Sequence, residues 1–491
     1  MQENNSLKSK TLSGLIWSLT DLIGNQGLQF IIQIILARLL LPEQFGLIGM
    51  ILVIIAISTS IIDSGFTQAL IREKDPSQID YSTVFYFNLF MAVLLYGIIF
   101  ISAELISIFF GEPTLIPIIK ILSLVLIINS FGIIQRAILI KRVDFKTQTK
   151  INLLAGIISG IIAVICAFKG LGVWSLVIRT LSMQFIQTGL LWFFNRWIPS
   201  IVFSFQSFKR FFGFGSKILA SGLIDTIFNN LYFILIGKFF SVTALGYYTN
   251  AIKLRDVASQ SVTSSIQRVT YPVLSSIKED ETKLRNGYRT VIRMTAYIIF
   301  PFMIGLATVA SPLIQLLFGD KWMPSVIYLQ LLCFAGMLYP IHALNLNILQ
   351  VKGRSDIFLL LEIIKKVILT VLISVSLIFD FGVIGLIGSA VIHSYIALVI
   401  NTYYSGREIS YNTTEQLRDL TPIFIISILM GGIVYYSGLV LFESALAKLI
   451  IQVIIGFILY IFISKISRIK ELELIKDLIL KFVKTKNKSS Y

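Results

Sequence analysis

About fourteen long apolar stretches follow one another from Thr11 to Ser464. Each approaches the roughly 20 residues that a helix needs to cross a bilayer. Lysine and arginine crowd into every second gap between them. Clusters stand at Lys8/Lys10, Arg72/Lys74, Arg136 to Lys150, Arg196 to Lys217, Lys278 to Arg293, Lys352/Arg354, Arg407/Arg418 and Lys465 to Lys488. The intervening gaps carry isolated cations: Arg38, Lys169, Lys238 and Lys321, with Lys448 just beyond the last. Cytoplasmic loops carry the Lys/Arg excess of a membrane protein. The alternation therefore predicts the number and direction of the crossings, with both termini in the cytoplasm.

The chain is 56% hydrophobic and only 14% charged, against about 25% charged for a soluble domain. Its net charge of +16 reads as loop cations facing an anionic membrane surface. No basic patch with interleaved aromatics points to nucleic acid. Ser13 to Ala37 is too long for a cleavable signal peptide and lacks a small-residue cleavage site, so it is expected to be the first membrane helix. Cys166 and Cys333 both fall in apolar segments without paired spacing and imply neither a disulfide nor a metal.

The expected spans are 12–37, 45–70, 83–108, 115–138, 150–168, 171–195, 212–237, 244–271, 289–315, 325–349, 355–379, 382–404, 419–440 and 444–465. The hairpins Phe168-Lys169-Gly170-Leu171-Gly172 and Phe379-Asp380-Phe381-Gly382 leave no room for an extramembrane domain. An internal repeat is visible. Ala37-Arg38-Leu39-Leu40 followed by Phe45-Gly46 recurs as Gly237-Lys238-Phe239-Phe240 followed by Leu245-Gly246. Asn25 and Gln29 correspond loosely to Asp225 and Asn229. Both copies start on the cytoplasmic side, so the repeat is parallel. The expected fold is thus an all-α polytopic membrane protein of about 14 helices. It has an N-terminal lobe 1–195, a cytoplasmic linker 196–211 and a C-terminal lobe 212–404, with about six helices in each lobe. Residues 405–491 supply a terminal helix pair and a basic tail. Two-lobe membrane proteins place substrate near the midplane between the lobes, which favours transport over scaffolding.

Charged side chains at a membrane centre cost about 2.5–3.5 kcal/mol on insertion scales and mark polar pathways. Asp21, Asn25 and Gln29 are spaced to share one helical face. Arg179 lies deep in the sixth span. Asp225 and Asn229 lie in the seventh, and Lys253, Arg255 and Asp256 in the eighth. Arg179, Lys253 and Arg255 are the candidate substrate-binding cations, since a guanidinium clamps phosphate well. Asp21 and Asp225 are candidates for ion coupling, and Asn25, Gln29, Asn229 and Asp256 for polar cavity lining. Plainer readings stand beside these. Asp21 pairs with a neighbouring cation, Asp256 neutralises Lys253 and Arg255, Asp63 is solvated near the interface, and Lys365 and Lys366 snorkel to the surface. His342 and His393 read as packed or hydrogen-bonded residues, and the five tryptophans mostly as interfacial belts.

Motifs for catalysis are absent. Gly213-Phe214-Gly215-Ser216-Lys217 lacks Walker A spacing, and Asp380-Phe381-Gly382 sits in a hairpin with no other kinase element. No metal cluster, nucleophile elbow or cofactor motif occurs, so the chain is not expected to be an enzyme or to carry a cofactor.

Several segments resemble the Wzx-type polysaccharide transporters of the MOP flippase superfamily. They are Ala37-Arg38-Leu39-Leu40-Leu41-Pro42-Glu43-Gln44-Phe45-Gly46-Leu47, Asp63-Ser64-Gly65-Phe66-Thr67-Gln68-Ala69-Leu70-Ile71, Phe110-Gly111-Glu112-Pro113, Leu245-Gly246-Tyr247-Tyr248-Thr249-Asn250-Ala251 and Tyr271-Pro272-Val273-Leu274-Ser275. The branch most resembled holds the lipopolysaccharide, colanic-acid and teichuronic-acid exporters. The resemblance implies an alternating-access flippase in the bacterial cytoplasmic membrane. It would move undecaprenyl-diphosphate-linked oligosaccharide from the cytoplasmic to the outer leaflet. It implies a proton or sodium coupling ion, and a polysaccharide polymerase with chain-length machinery in the same membrane. The alternatives are a cation-coupled small-molecule exporter of the same superfamily and a non-transporting assembly scaffold.

Overall fold

The computed structural model describes residues 24–440 and 444–477. Among them every regular element is helical. In chain order these are α1 (24–39), α2 (Pro42–Asp63), α3 (Phe66–Arg72), α4 (Gln78–Ile101), α5 (Ala103–Phe110), α6 (Leu115–Leu122), α7 (Leu124–Lys141), α8 (Phe145–Phe168), α9 (Val173–Asn195) and α10 (Phe205–Phe239). There follow α11 (Val242–Ser276), α12 (Glu281–Thr308), α13 (Ala310–Phe318), α14 (Ser325–Gly336), α15 (Tyr339–Val351), α16 (Ser355–Ile378), α17 (Gly382–Glu408), α18 (Thr413–Val440), α19 (Ala445–Ile466) and α20 (470–477). Ten of these, counting α6–α7 and α14–α15 as single spans, are long and apolar enough to cross a membrane. The chain is an all-α polytopic membrane protein. The other expected crossings coincide with helices too: α9, α11 and α16, which carry more polar residues, and α1, of which residues 24–39 are described. Asp21 lies outside the described residues.

Several boundaries differ from those expected, among them the breaks after Ile101, Thr308 and Gly336 and the start of α12 at Glu281. The span 45–70 is broken, because Ser64 and Gly65 both take left-handed backbone conformations (φ 46° and 70°). A Cβ on Gly65 would stand 2.7 Å from the carbonyl oxygen of Gly215, and one on Gly215 2.5 Å from that of Ser64. The break lets α10 lie against the start of α3. Helix α10 begins at Phe205, inside the expected linker 196–211, where the Ser204 hydroxyl caps it by accepting from Ser207 N at 3.3 Å. Helix α11 runs past Pro272 to Ser276. A proline inside a long membrane-protein helix is tolerated where neighbours satisfy the freed carbonyl.

The chain divides into two compact units, Met1–Thr249 and Asn250–Tyr491, with the boundary inside α11. In the first unit small residues set the helix spacing, as in membrane bundles generally. Gly156 and Gly160 form a small-xxx-small pair on α8, and a Cβ on Gly160 would meet Ile32 at 2.4 Å. The sequence repeat has a local structural counterpart in this unit. Helices end at 39 and Phe239, and the next begin at Pro42 and Val242. A Cβ on Gly46 would lie 2.0 Å from the carbonyl oxygen of Val242, and one on Gly246 1.9 Å from that of Pro42. The two helix starts thus approach reciprocally, each through its glycine.

The alternate gaps of the sequence collect at opposite ends of this unit. At one end Arg72 lies over the Phe214 ring, Lys141 donates to the Glu73 carbonyl, Arg142 to Asn195 and Arg210 to Asp80. At the other, Lys238 donates to the Phe109 carbonyl, and Gly172 faces the Gln44 side chain.

In the second unit the cation-rich gaps also meet at one end. Arg285 pairs with Glu415 at 2.8 Å, Arg289 with Asp419 at 2.6 Å, Arg354 with Glu408 at 2.7 Å and Arg293 with Glu471 at 2.6 Å. Gly431 of α18 packs on Ile304 of α12, and Gln452 of α19 donates to the Val434 carbonyl of α18 at 2.9 Å. Trp322, expected in an interfacial belt, is wholly buried. It fills the turn after α13, with Phe318 at 6.1 Å between ring centroids.

Candidate functional site

In the first unit, polar side chains on α1, α7, α8 and α9 bond to one another across the helices. Arg179 on α9 is partly buried and donates through Nη2 to Gln29 Oε1 on α1 at 2.5 Å. Gln29 in turn approaches Met183 Sδ at 3.6 Å. Asn25 Oδ1, one turn before Gln29, is buried without a protein hydrogen bond. Asn25, Gln29 and Arg179 are therefore brought together.

Further along α9, Gln187 donates to Asn152 at 2.7 Å, and Gln184 to Asn129 at 3.1 Å and Thr188 at 3.3 Å. Arg136 also donates to Asn129, while its Nε is buried with no protein acceptor. Asn88, on α4, is completely buried with both side-chain polar atoms unpartnered. Sequence reasoning misses these residues. Their one signal is Arg136, and that residue is indistinguishable by pattern from the loop cations that follow it. Asp63 has a local task. Its carboxylate accepts from both the backbone and hydroxyl of Thr67 and so caps α3, which explains the aspartate and threonine of the Asp63-Ser64-Gly65-Phe66-Thr67 segment.

Asp225 and Asn229 lie on an exposed face of α10. An open depression of about 380 Å³ runs along that face, lined by Phe214, Lys217, Ile218, Ser221, Gly222 and Asp225. The missed residue here is Lys217, which the sequence groups with the preceding loop.

In the second unit, Lys253 is exposed whereas Arg255 is buried. The Arg255 guanidinium pairs with Asp256 at 2.7 Å, donates to the Tyr339 hydroxyl at 2.7 Å and lies over the Tyr339 ring at 4.9 Å. Its stem runs against Gly336, where a Cβ would meet Cδ at 2.7 Å. Two candidate cations that are near neighbours in sequence thus part company in the fold. Lys253 is presented, while Arg255 joins α11 to α14 and α15. The histidines are hydrogen-bonded: His342 to Ser394 at 3.1 Å and Asn401 at 3.3 Å, His393 to the Lys365 carbonyl at 3.0 Å. Lys365 does not snorkel. It pairs with Glu362 one turn back at 2.5 Å and is largely buried. Among the described residues no group of three or more His, Cys, Asp or Glu is placed to hold a metal.

Helical crossings joined at small residues, with ionised side chains carried inside them, define a polytopic membrane protein of the flippase and multidrug-exporter fold. The structure superposes on the lipid II flippase MurJ in its inward closed conformation with a TM-score of 0.75. The match covers 95% of this chain and all of MurJ at 16% identity. An inward-facing MATE multidrug transporter of the MOP superfamily gives a TM-score of 0.61 over 78% of this chain and 94% of its own, also at 16% identity.

The chain belongs to the family of polysaccharide biosynthesis proteins, whose pattern matches residues 35–327. It is 27% identical to the teichuronic acid biosynthesis protein TuaB of Bacillus subtilis, over 82% of this chain and 84% of that one. It is 28% identical to the lipopolysaccharide biosynthesis protein WzxC of Escherichia coli, over 73% and 74%. The succinoglycan biosynthesis transport protein ExoT of Rhizobium meliloti is 25% identical over 65% and 64%.

Proposed function

We propose that this protein is a flippase for lipid-linked oligosaccharide. It moves undecaprenyl-diphosphate-linked repeat units from the cytoplasmic to the outer leaflet of the bacterial cytoplasmic membrane, for surface polysaccharide assembly. Support comes from its family, from relatives named for teichuronic acid, lipopolysaccharide and succinoglycan, and from a fold shared with a lipid II flippase. The observation that carries the reading is the placement of lysine and aspartate side chains on exposed faces of spans. Lys217 and Asp225 lie on α10, and Lys253 on α11. Charged residues near a membrane midplane cost about 2.5–3.5 kcal/mol each in lipid, which supports a polar pathway along these faces. Lysines on such faces, with Arg179 in the first unit, suit a diphosphate cargo better than an organic cation. This argues against the drug-exporter alternative.

On this reading the protein is not an enzyme and acts by alternating access. Both termini are cytoplasmic, about fourteen helices cross the membrane, and the chain is organised as lobes 1–195 and 212–404 with a terminal pair. Asp21 and Asp225 are the coupling candidates for a proton or sodium gradient. A polymerase and its chain-length partners receive the product.

The test is deletion in a host lacking other polysaccharide exporters, with Arg179→Ala and Lys253→Ala as complementing alleles. Lipid-linked repeat units accumulate on the cytoplasmic leaflet, surface polysaccharide is lost, and neither allele restores it at normal membrane levels. Unchanged surface polysaccharide with no accumulated intermediate sinks the flippase reading.

A further inference from the structure

At the cation-rich end of the first unit lies a pocket of about 410 Å³, lined by Pro76, Gln78, Tyr81, Ile138, Lys141, Arg142 and Trp197. Its walls come from the start of α4, the end of α7 and the segment after α9. They are held by a closed set of hydrogen bonds. The Trp197 indole donates to Gln78 Oε1 at 2.7 Å, and Gln78 Nε2 donates to the Ile198 carbonyl at 2.7 Å and Ser200 Oγ at 3.1 Å. Buried Gln135 fixes the Trp197 backbone by donating to its carbonyl at 2.8 Å. Tyr81 meets the indole edge-on at 6.1 Å between centroids.

Two cations stand side by side in this frame. Arg142 uses one of the five N–H donors of a guanidinium, on Asn195 at 3.3 Å. Lys141 spends one of its three on the Glu73 carbonyl. Neither is in an ion pair among the described residues. The carboxylate on the same turn as Gln78 and Tyr81, Asp80, is paired with Arg210 at 2.7 Å. The pocket therefore presents unneutralised donors beside two aromatic rings and the apolar Ile138. That pairing of wet cationic and apolar amphipathic surface is the chemistry of a lipid headgroup at the bilayer boundary.

We propose that this pocket binds the phosphate of an anionic membrane lipid, with Lys141 and Arg142 as the phosphate donors and Tyr81 and Trp197 against the adjoining glycerol or prenyl portion. The phosphate has two sources, a bulk phospholipid such as phosphatidylglycerol or a polyprenyl diphosphate. The proposal does not depend on the transport reading, since it requires only that the chain reside in a membrane.

The test is native mass spectrometry of the purified full chain in a zwitterionic detergent, titrated with phosphatidylglycerol in one arm and undecaprenyl diphosphate in the other. Lys141→Gln/Arg142→Gln binds at least one of these lipids roughly tenfold or more weakly than wild type, through loss of charge-assisted donors. Lys141→Arg/Arg142→Lys retains binding. So does Lys209→Gln/Lys278→Gln, which removes equal charge outside the pocket. Ile138→Phe, which fills the pocket without altering charge, weakens binding as well. Loss in the phosphatidylglycerol arm assigns the pocket to bulk phospholipid, and loss in the other arm alone to polyprenyl diphosphate. Wild-type binding of both lipids by the glutamine pair at unchanged melting temperature overturns the proposal. Should that pair not fold, unchanged binding by Ile138→Phe overturns it instead.

Discussion

A methyl group on Gly46 would stand 2.0 Å from a backbone oxygen and one on Gly246 1.9 Å, distances that no rotamer change relieves. Gly46→Ala and Gly246→Ala should each cost about 1–3 kcal/mol, towards the upper end because backbone must move. Gly97, where an added methyl would meet nothing within 4 Å, is the control: Gly97→Ala should leave the melting temperature in detergent unchanged or raise it. Equal melting of all three variants would show that the close approach is not maintained in the protein. The eighth-span cations separate by the same logic. Arg255→Ala removes a buried charge-assisted bond to Tyr339 and the partner of Asp256, and should destabilise by about 2 kcal/mol. Lys253→Ala, at an exposed site, should stay within about 0.5 kcal/mol yet impair export. A Lys253 variant that melts early and exports normally would reverse these assignments.

At the scale of elements, the ion pairs of the second unit decide how the C-terminal helices are held. Glu471, almost wholly buried, takes Arg293 at 2.6 Å, and Arg293 also faces Asp419 at 3.7 Å. Asp419 is simultaneously bound by both nitrogens of the Arg289 fork and by the Tyr411 hydroxyl. Glu471→Gln should weaken the docking of α20 by about 1–3 kcal/mol, seen as faster limited proteolysis between α19 and α20 with α18 unaffected. The start of α12 carries a pH signature. Asp280 accepts from the Lys283 backbone, and that bond holds its carboxyl below the usual carboxylate range. A depressed folded value means the cap is at full strength above the ordinary carboxylate pKa and is lost as pH falls through the lower one. Hydrogen exchange at the Lys283 amide should therefore accelerate, beyond its intrinsic pH dependence, only in that acid window, and should not do so in Asp280→Ala.

For the whole molecule, the gathering of cation-rich gaps at one end of each unit gives the positive-inside rule a three-dimensional basis. In a chain with Cys166 and Cys333 replaced by alanine, Lys209→Cys should react with an impermeant maleimide only from the cytoplasmic side, and Lys169→Cys only from outside. Labelling of both from one side would refute the proposed orientation. How much was legible follows from range. Helix existence, the apolar–cationic alternation and the recurrence at Arg38 and Lys238 are properties of neighbouring residues, and they survive into the structure. Arg179 and Gln29 each stand out in sequence as polar among apolar neighbours, but their bond joins α9 to α1, a pairing that no local pattern encodes. Arg136 lies near the end of α7 and Lys217 within α10, yet both escape notice because the sequence groups them with the loop cations beside them.

What the sequence determined by itself is what hydropathy and charge dictate locally. Water-free crossings must be helical to satisfy their backbone, and cation placement sorts the gaps into two sets. The tertiary structure alone decided which charged side chains are buried and which are exposed. Arg255 and Lys253 differ in fate because they project from different faces of α11, one against Gly336 and Tyr339 and one outward. Lys365 is held by Glu362, and Asp63 is absorbed by the start of α3. Burial and partnership are set by the helix that packs opposite, and that helix lies tens to hundreds of residues away in the chain.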